Sequence, residues 1–494
     1  MLKIRINREE FEYDIYALVT SFFPDPEVKV EIAGDKSGAE CESDTALFLL
    51  EPDAGRGTIC FKGGKCLPAD SKYEFEYKDS SDPGDFRKAW KLFLYDRLCE
   101  YSGITLPWGA LTGVRPTKLI MRMINAAEGK GRDEIIKDLY DTCRVSEDKA
   151  RLGIRIAELE DGILKPFTDG KGYSLYIGIP FCPSTCLYCS FTSFPIAKFE
   201  KKVDAYLDGL CSEMRATCEY MKGKRLDTIY IGGGTPTSLD EVRLERLLND
   251  ITSVMPMGDV KEFTVEAGRP DSITVQKLAV MKKYGVTRIS VNPQTMKDET
   301  LKLIGRHHTT DDIRRAFAQA REAGFDNINM DLILGLPGET LSDVEHTFDA
   351  VAEFKPDSIT AHSLAIKRAS RMKQWIAEHG AISGLDAEKA MKKAYDTADA
   401  LGMKPYYLYR QKNMAGSLEN TGFAHEGKYG LYNILIMEEV QSIVALGVGT
   451  VSKRVHCDGT GLIERCDTHK DVNLYLSDLQ AMIERKRKLF GAGE

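Results

Sequence analysis

The chain of 494 residues has no excess of positive charge: 67 Lys and Arg stand against 75 Asp and Glu, a net charge of −8. A general electrostatic footprint for nucleic acid is therefore absent. No apolar run approaches membrane-spanning length, which excludes a bilayer-crossing helix and a membrane partner of that kind. The first residues, Met1-Leu2-Lys3-Ile4-Arg5-Ile6-Asn7-Arg8, alternate apolar and charged side chains without an apolar core of signal-peptide length. Internal repeats, low-complexity tracts and long linkers are missing as well. These absences predict a cytoplasmic protein. What is present, 43% apolar and 29% charged residues, is the profile of a soluble globular chain with two or three domains.

Nine of the twelve cysteines (Cys41, Cys60, Cys66, Cys99, Cys143, Cys211, Cys218, Cys457 and Cys466) share no spacing and read as free thiols in a reducing compartment. The other three form Cys182-x-x-x-Cys186-x-x-Cys189. A structural zinc site would lack its fourth ligand here, because the next cysteine, Cys211, lies 22 residues on. Three thiolates on one short loop can instead hold three irons of a [4Fe–4S] cluster. The fourth iron is then open to a small molecule.

Residues 1–80 read as strands: Leu2–Asn7, Val28–Ile32, Ala46–Leu50, Thr58–Lys62 and Tyr73–Tyr77 alternate or run apolar. Helices follow at Asp85–Tyr101, Pro116–Ala127, Arg132–Cys143 and Ser146–Leu164. From about 172, strand and helix alternate. Strands are expected at Ser174–Ile179, Thr228–Ile231, Glu262–Glu266, Arg288–Val291, Asn327–Leu334 and Ser358–Leu364. Six such units imply a parallel sheet and an open, partial barrel rather than a closed eight-stranded one. The expected division is an N-terminal α+β domain at 1–165, a partial (β/α)6 barrel at 166–370 and a mixed, largely helical C-terminal domain at 371–494. In parallel α/β folds, sites form at the C-terminal ends of strands.

The remaining motifs sit at such ends. Gly232-Gly233-Gly234-Thr235-Pro236-Thr237 follows the second strand, where glycine permits close backbone approach; a tight βα turn would also explain it. Glu266, Gln294 and Asp331 stand on or after successive strands and would converge on one cavity, although each also suits a helix N-cap. Arg306, in Gly305-Arg306-His307-His308, could bind a planar carboxylate in bidentate fashion, or be a surface arginine. Adjacent His307 and His308 should point in different directions, which disfavours a two-histidine metal site.

The cysteine spacing resembles the signature of radical S-adenosylmethionine (SAM) enzymes. In that family the open iron chelates SAM, and one electron cleaves it to a 5′-deoxyadenosyl radical. Tyr-Ile-Gly-Ile-Pro-Phe-Cys, Gly-Gly-Gly-Thr-Pro-Thr, Arg-Ile-Ser-x-x-x-Gln, Gly-Arg-x-His and Asp-Leu-Ile-x-Gly-Leu-Pro-Gly occur in order between about 173 and 370. A weaker match follows in Gly447-Val448-Gly449-Thr450-Val451-Ser452. Together they resemble the oxygen-independent coproporphyrinogen III oxidase group. The long N-terminal unit with Leu111-Thr112-Gly113-Val114-Arg115-Pro116-Thr117-Lys118 looks like its HemZ branch, coproporphyrinogen dehydrogenases.

The resemblance implies that propionate side chains of coproporphyrinogen III are decarboxylated to vinyls, giving protoporphyrinogen IX. It implies that Cys182, Cys186 and Cys189 bind the cluster. Tyr176, Gly233, Gly234, Thr235, Glu266, Gln294, Arg306, Asp331 and Ala361 would line the SAM site. Tyr188, Gly234 and Ala361 are the counterparts of a second SAM site in some members. No catalytic residue beyond the cluster and SAM site is implied. A one-electron donor such as flavodoxin or ferredoxin would be a partner. The additional cysteine of the best-studied type, two after the motif, is Phe191 here. The haem-chaperone branch carries His-Asn-x-x-Tyr-Trp, where this chain has Tyr432-Asn433-Ile434-Leu435-Ile436-Met437. A haem carrier with another ligand, His362 or His425, is one alternative; a radical SAM enzyme with another substrate, such as a methyltransferase, is a second. Candidate cations for a tetracarboxylate are Arg115, Lys118, Lys367, Arg368, Arg410 and Lys412, each of which also suits a solvated surface.

Overall fold

Alternation of apolar and polar residues in Arg56–Phe61 sends Gly57, Ile59 and Phe61 inward and Arg56, Thr58 and Cys60 outward. A computed structural model of the chain describes residues 2–23, 28–32, 45–61, 71–77, 83–126, 131–367, 370–380, 385–411 and 418–491. The chain divides into two compact units, Met1–Glu158 with Tyr409–Glu419, and Leu159–Leu408 with Asn420–Glu494.

In the first unit, Leu2–Ile6 (β1), Val28–Ile32 (β2), Thr45–Glu51 (β3), Arg56–Phe61 (β4) and Ser71–Glu76 (β5) form one sheet, ordered β2-β1-β3-β4-β5. The first three strands are parallel, and β3, β4 and β5 are antiparallel. The apolar sides of helices Glu12–Phe22 and Pro83–Ser102 share its core, with Phe48, Phe86 and Trp90 buried together. A Cβ on Gly57 would stand 2.3 Å from the Trp90 ring, so β4 passes the indole only without a side chain. Helices Pro116–Ala126, Arg132–Cys143 and Glu147–Leu164 follow as the periodicity predicts; helix Glu12–Phe22 was not anticipated. Lys62 and Ala127, predicted element ends, and Cys41 and Cys66, read as free thiols, lie outside the described residues.

Tyr409–Glu419 return to this unit from late in the chain. Glu419 is fully buried there, accepting from Trp108 Nε1 at 2.7 Å and from Lys149 Nζ at 2.5 Å. Arg410 is buried over the Trp108 ring, 6.0 Å from its centroid.

The second unit carries the strand–helix alternation. Gly172–Ile179 (β6) is followed by two short strands, Phe181–Cys182 (β7) and Phe194–Pro195 (β8), and then by Arg225–Gly233 (β9), Glu262–Gly268 (β10), Arg288–Val291 (β11), Ile328–Leu334 (β12) and Ser358–Ser363 (β13). β6, β9, β10, β11, β12 and β13 are successive parallel neighbours, the partial (β/α)6 barrel. All four residues of β11 are buried, as expected of a strand covered on both faces. The crossover helices start on side-chain caps: Asp240, Thr274, Thr309 and Thr340 each accept from the backbone N–H three residues on.

The late residues extend this sheet. Lys404–Tyr409 (β14), Asn420–Ala424 (β15), Ser442–Leu446 (β16), Val451–Val455 (β17) and Ile463–Asp467 (β18) give the order β14-β15-β13-β12-β11-β10-β9-β6-β16-β17-β18. β16 runs parallel to β6, and β15 antiparallel to β13. The stretch expected to be largely helical thus contributes strands to both edges of the barrel. Glu213 on helix Val203–Tyr220 and Lys486 on helix Leu479–Gly491, each 1% exposed, pair at 2.5 Å. The other Glu213 oxygen accepts from the Gly447 N–H and the Tyr475 hydroxyl. No helix among the described residues is long and apolar enough to cross a membrane.

Candidate functional site

The cysteine loop leaves the C-terminal end of β6. β7 and β8 pair in parallel, Phe181 with Phe194 and Cys182 with Pro195, and hold the two ends of the loop together. The Leu187 N–H donates to the Ile304 carbonyl at 2.9 Å, and Ser184 Oγ to the Gly305 carbonyl at 3.0 Å. These bonds tie the loop to the turn that carries Arg306.

Cys182 and Cys186 are buried and Cys189 is partly so. Thr235 Oγ1 donates to Cys182 Sγ at 3.4 Å, and Arg269 Nη1 lies 3.9 Å from Cys186 Sγ. Burial pushes the Cys182 thiol up to about 11 and raises Cys189 too. Without iron these groups hold their protons, so cluster binding has to displace them. Among the described residues no three His, Cys, Asp or Glu side chains are gathered around one ion. A cubane requires something else, because each thiolate takes its own iron at a separate corner.

The triple-glycine turn packs directly on this loop. A Cβ on Gly234 would stand 2.6 Å from the Phe181 carbonyl oxygen and 2.8 Å from that of Ile179. The N–H groups of Gly234 and Thr235 donate to these same two carbonyls, Ile179 and Phe181 respectively. They are spent on the scaffold; an ammonium, itself only a donor, could meet this turn through its oxygen acceptors.

Glu266 on β10 is partly buried and accepts from the Tyr230 hydroxyl at 2.6 Å; desolvation pushes its carboxyl up to about 7. Burial acts the same way on Asp331 on β12, but His362 and Asn329 outweigh it and hold that carboxyl below its usual range. Asn329 Nδ2 donates to Asp331 at 2.7 Å, and His362 Nε2 stands 3.7 Å from it. Gln294 takes φ = +70°, uncommon for a side chain with a Cβ. Its N–H donates to the Asp331 carbonyl at 3.0 Å, and its carbonyl accepts from Ile333 at 2.9 Å. Arg306 donates to the Asn292 carbonyl at 2.5 Å and to the Tyr188 hydroxyl at 3.1 Å. Tyr176 and Tyr432 both stack on Tyr230, at centroid distances of 6.0 and 4.5 Å. Ala361 is buried on β13 beside Leu332 of β12.

Three of these residues carry buried polar atoms with no partner among the described residues: Gln294 Oε1, Asn292 Oδ1 and Arg306 Nε. Such atoms are costly to leave bare. Two acceptors and a guanidinium donor suit the amino, hydroxyl and carboxylate groups of SAM, and three thiols on one loop suit the cluster.

Sequence reasoning missed several neighbours. Arg269 clamps Asp271 through two bonds (3.0 and 2.7 Å) while donating to Ser184, and buried His308 lies 3.8 Å from Asp271. Arg269 directly follows β10, the position that could have flagged it. His307 is exposed where His308 is buried, so the two diverge as expected. His425 follows β15 at Ala424, opposite Ser358 at the start of β13, hence at the far end of the sheet from the cysteine loop. Of the candidate cations, Lys367 lies in the same unit as the cysteines; Arg115, Lys118 and Arg410 belong to the other. Arg368 and Lys412 lie outside the described residues.

Residues 176–351 match the model of the radical SAM superfamily. The chain is 39% identical over 392 residues to the oxygen-independent coproporphyrinogen-III oxidase-like protein HemZ of Bacillus subtilis, with 78% of each covered. It is 42% identical over 195 residues to the heme chaperone HemW of the same organism, which covers 39% of this chain and 51% of HemW. Among solved structures, the coproporphyrinogen III oxidase HemN of Escherichia coli superposes with a TM-score of 0.52 at 22% identity, covering 66% of this chain and 73% of HemN; that likeness concerns the fold. With a HemZ-like relative over most of its length and the cysteine loop at the mouth of a partial barrel, the chain belongs to the HemN/HemZ-type radical SAM proteins, whose cofactors are a [4Fe–4S] cluster and S-adenosylmethionine.

Proposed function

We propose that the protein is an oxidoreductase that decarboxylates propionate side chains of coproporphyrinogen III to vinyls without oxygen. The observation that carries this reading is the cysteine loop, with unpartnered Gln294 Oε1, Asn292 Oδ1 and Arg306 Nε in the same barrel end, in a chain that is HemZ-like over most of its length. When bound, the cluster and SAM supply abstraction of a hydrogen atom from the propionate β-carbon, after which CO2 and one electron leave. Cys182, Cys186 and Cys189 hold the cluster. Tyr176, Gly233, Gly234, Thr235, Glu266, Gln294, Arg306, Asp331 and Ala361 line the SAM site. Arg306, held by Asn292 and Tyr188, presents its guanidinium edge to the SAM carboxylate. Asp331, kept ionised, and Glu266, near its titration point, are suited to ammonium and hydroxyl groups. Tyr188, Gly234 and Ala361 would face a second SAM. A one-electron donor of the flavodoxin or ferredoxin kind supplies the cluster, in a cytoplasmic setting.

An anaerobic assay with SAM, reductant and coproporphyrinogen III, read by mass spectrometry, tests this. The expected result is protoporphyrinogen IX formed in step with 5′-deoxyadenosine. Deoxyadenosine without porphyrin product, from protein with an intact cluster, would contradict the substrate.

The HemW relatives favour a second reading, a haem-binding chaperone on the same fold. Against it, Tyr432, where the chaperone motif would place its histidine, is buried and stacked on Tyr230. Tight haem binding without porphyrinogen turnover would select the chaperone.

A further inference from the structure

Phe191, two residues beyond Cys189, is 70% exposed. The Lys367 ammonium stands 5.8 Å from the centroid of its ring. The two come from opposite edges of the parallel barrel: Phe191 follows β6 and Lys367 follows β13, with four strands between them. A second tie joins the same segments, since Arg371 donates to the Thr185 carbonyl. Lys367 and Arg371, both following β13, therefore touch the cysteine loop, and Phe191 and Lys367 meet at the C-terminal end of the barrel.

Lys367 is half-buried, pairs with no carboxylate among the described residues, and has the Cys189 thiol within electrostatic range. A cation–π contact to one ring leaves most of its charge available. The pair thus offers the open face of the Phe191 ring and an ammonium 5.8 Å from the ring centroid. A pyrrole carrying a propionate has the matching layout, a flat ring with a carboxylate two methylenes off. Resting on the reading of coproporphyrinogen as substrate, we infer that Phe191 and Lys367 form the subsite that holds a propionate-bearing pyrrole of the macrocycle. The held carboxylate is one that stays. An ion pair to the departing carboxylate would stabilise the ground state and be lost as CO2 forms, which opposes reaction.

The test is an anaerobic titration of the cluster-loaded protein with coproporphyrin III, a stable tetracarboxylate, and with its tetramethyl ester, followed by porphyrin fluorescence. The wild-type protein should bind the acid more tightly than the ester. Lys367→Met should weaken binding of the acid at least tenfold and leave the ester unchanged, whereas Lys367→Arg should keep most of the affinity. Phe191→Ala should weaken both ligands. Iron content at the wild-type level certifies that each variant is folded; should Lys367→Met lose iron, Lys367→Gln decides instead, its loss of the acid-to-ester preference being expected and an unchanged preference overturning the subsite. Wild-type affinity for the acid in Lys367→Met, or equal loss for acid and ester, would overturn the subsite while leaving the porphyrinogen reading intact. A wild-type protein that neither binds coproporphyrin nor turns over coproporphyrinogen would overturn both.

Discussion

Glu266 is a carboxyl that burial has moved to about 7, against an ordinary value of 4.5. Between these two values the folded apoprotein keeps a proton that the unfolded chain has released. Stability therefore falls as pH rises through that window, by at most about 3 kcal/mol from this group. Glu266→Gln should flatten this part of the slope, measured by urea unfolding between about pH 5 and 7; an unchanged slope would show that the carboxyl is not raised as described. Cys186→Ala should leave protein with no brown absorbance and no SAM cleavage; a brown, SAM-cleaving variant would sink the cluster assignment. At this scale the cysteine triplet was legible because its spacing lies within one loop. Glu266 and Gln294 were legible as residues near or just past strand ends, and Asp331 as a polar residue inside an apolar strand. Arg269 was not, and neither were the contacts of His362 and Tyr432, which the sequence offered only as a possible haem ligand and as a departure from the chaperone motif, because each depends on a partner far away in sequence: Ser184, Asp331 and Tyr230.

The glycine turn and the cysteine loop behave as one element. Gly234→Ala places a methyl group against two carbonyl oxygens that cannot swing away as a side chain would. The expected cost is about 1–3 kcal/mol, with displacement of the Phe181–Cys182 segment. Iron per chain after anaerobic reconstitution should drop along with Tm; full iron at the wild-type Tm would refute the coupling. The barrel strands and crossover helices were readable to within a few residues, since continuous apolar runs alternate with amphipathic ones. β16 was not. Ser442–Leu446 is a short apolar run late in the chain that pairs with β6, the barrel's first strand, and no local period reports so distant a partner.

Across the whole molecule, charge burial locks late residues onto early ones. Lys486→Ala would leave Glu213 buried without its cation, at a cost of about 3–5 kcal/mol. Denaturant unfolding should show Glu213→Gln with Lys486→Met far milder than Lys486→Ala alone; equal losses would mean that the pair's charge is unimportant. The first unit has a similar dependence, because Trp108 and Lys149 meet Glu419 in its interior. Deleting the N-terminal residues alone is therefore not a clean excision, since Tyr409–Glu419 would lose the unit they belong to.

That strap also sets an order of events on the ribosome. When Glu158 emerges, the residue that satisfies Trp108 and Lys149 has yet to be made, and at ordinary elongation rates it follows roughly ten to fifty seconds later. The nascent first unit should spend that interval incomplete, open to proteases and chaperones. A fragment of residues 1–158 should be digested readily by a protease, and a peptide covering 405–422 added in trans should slow the digestion. Equal digestion with and without the peptide would mean that the unit closes on its own, and that the last-made piece of the N-terminal half is dispensable to it.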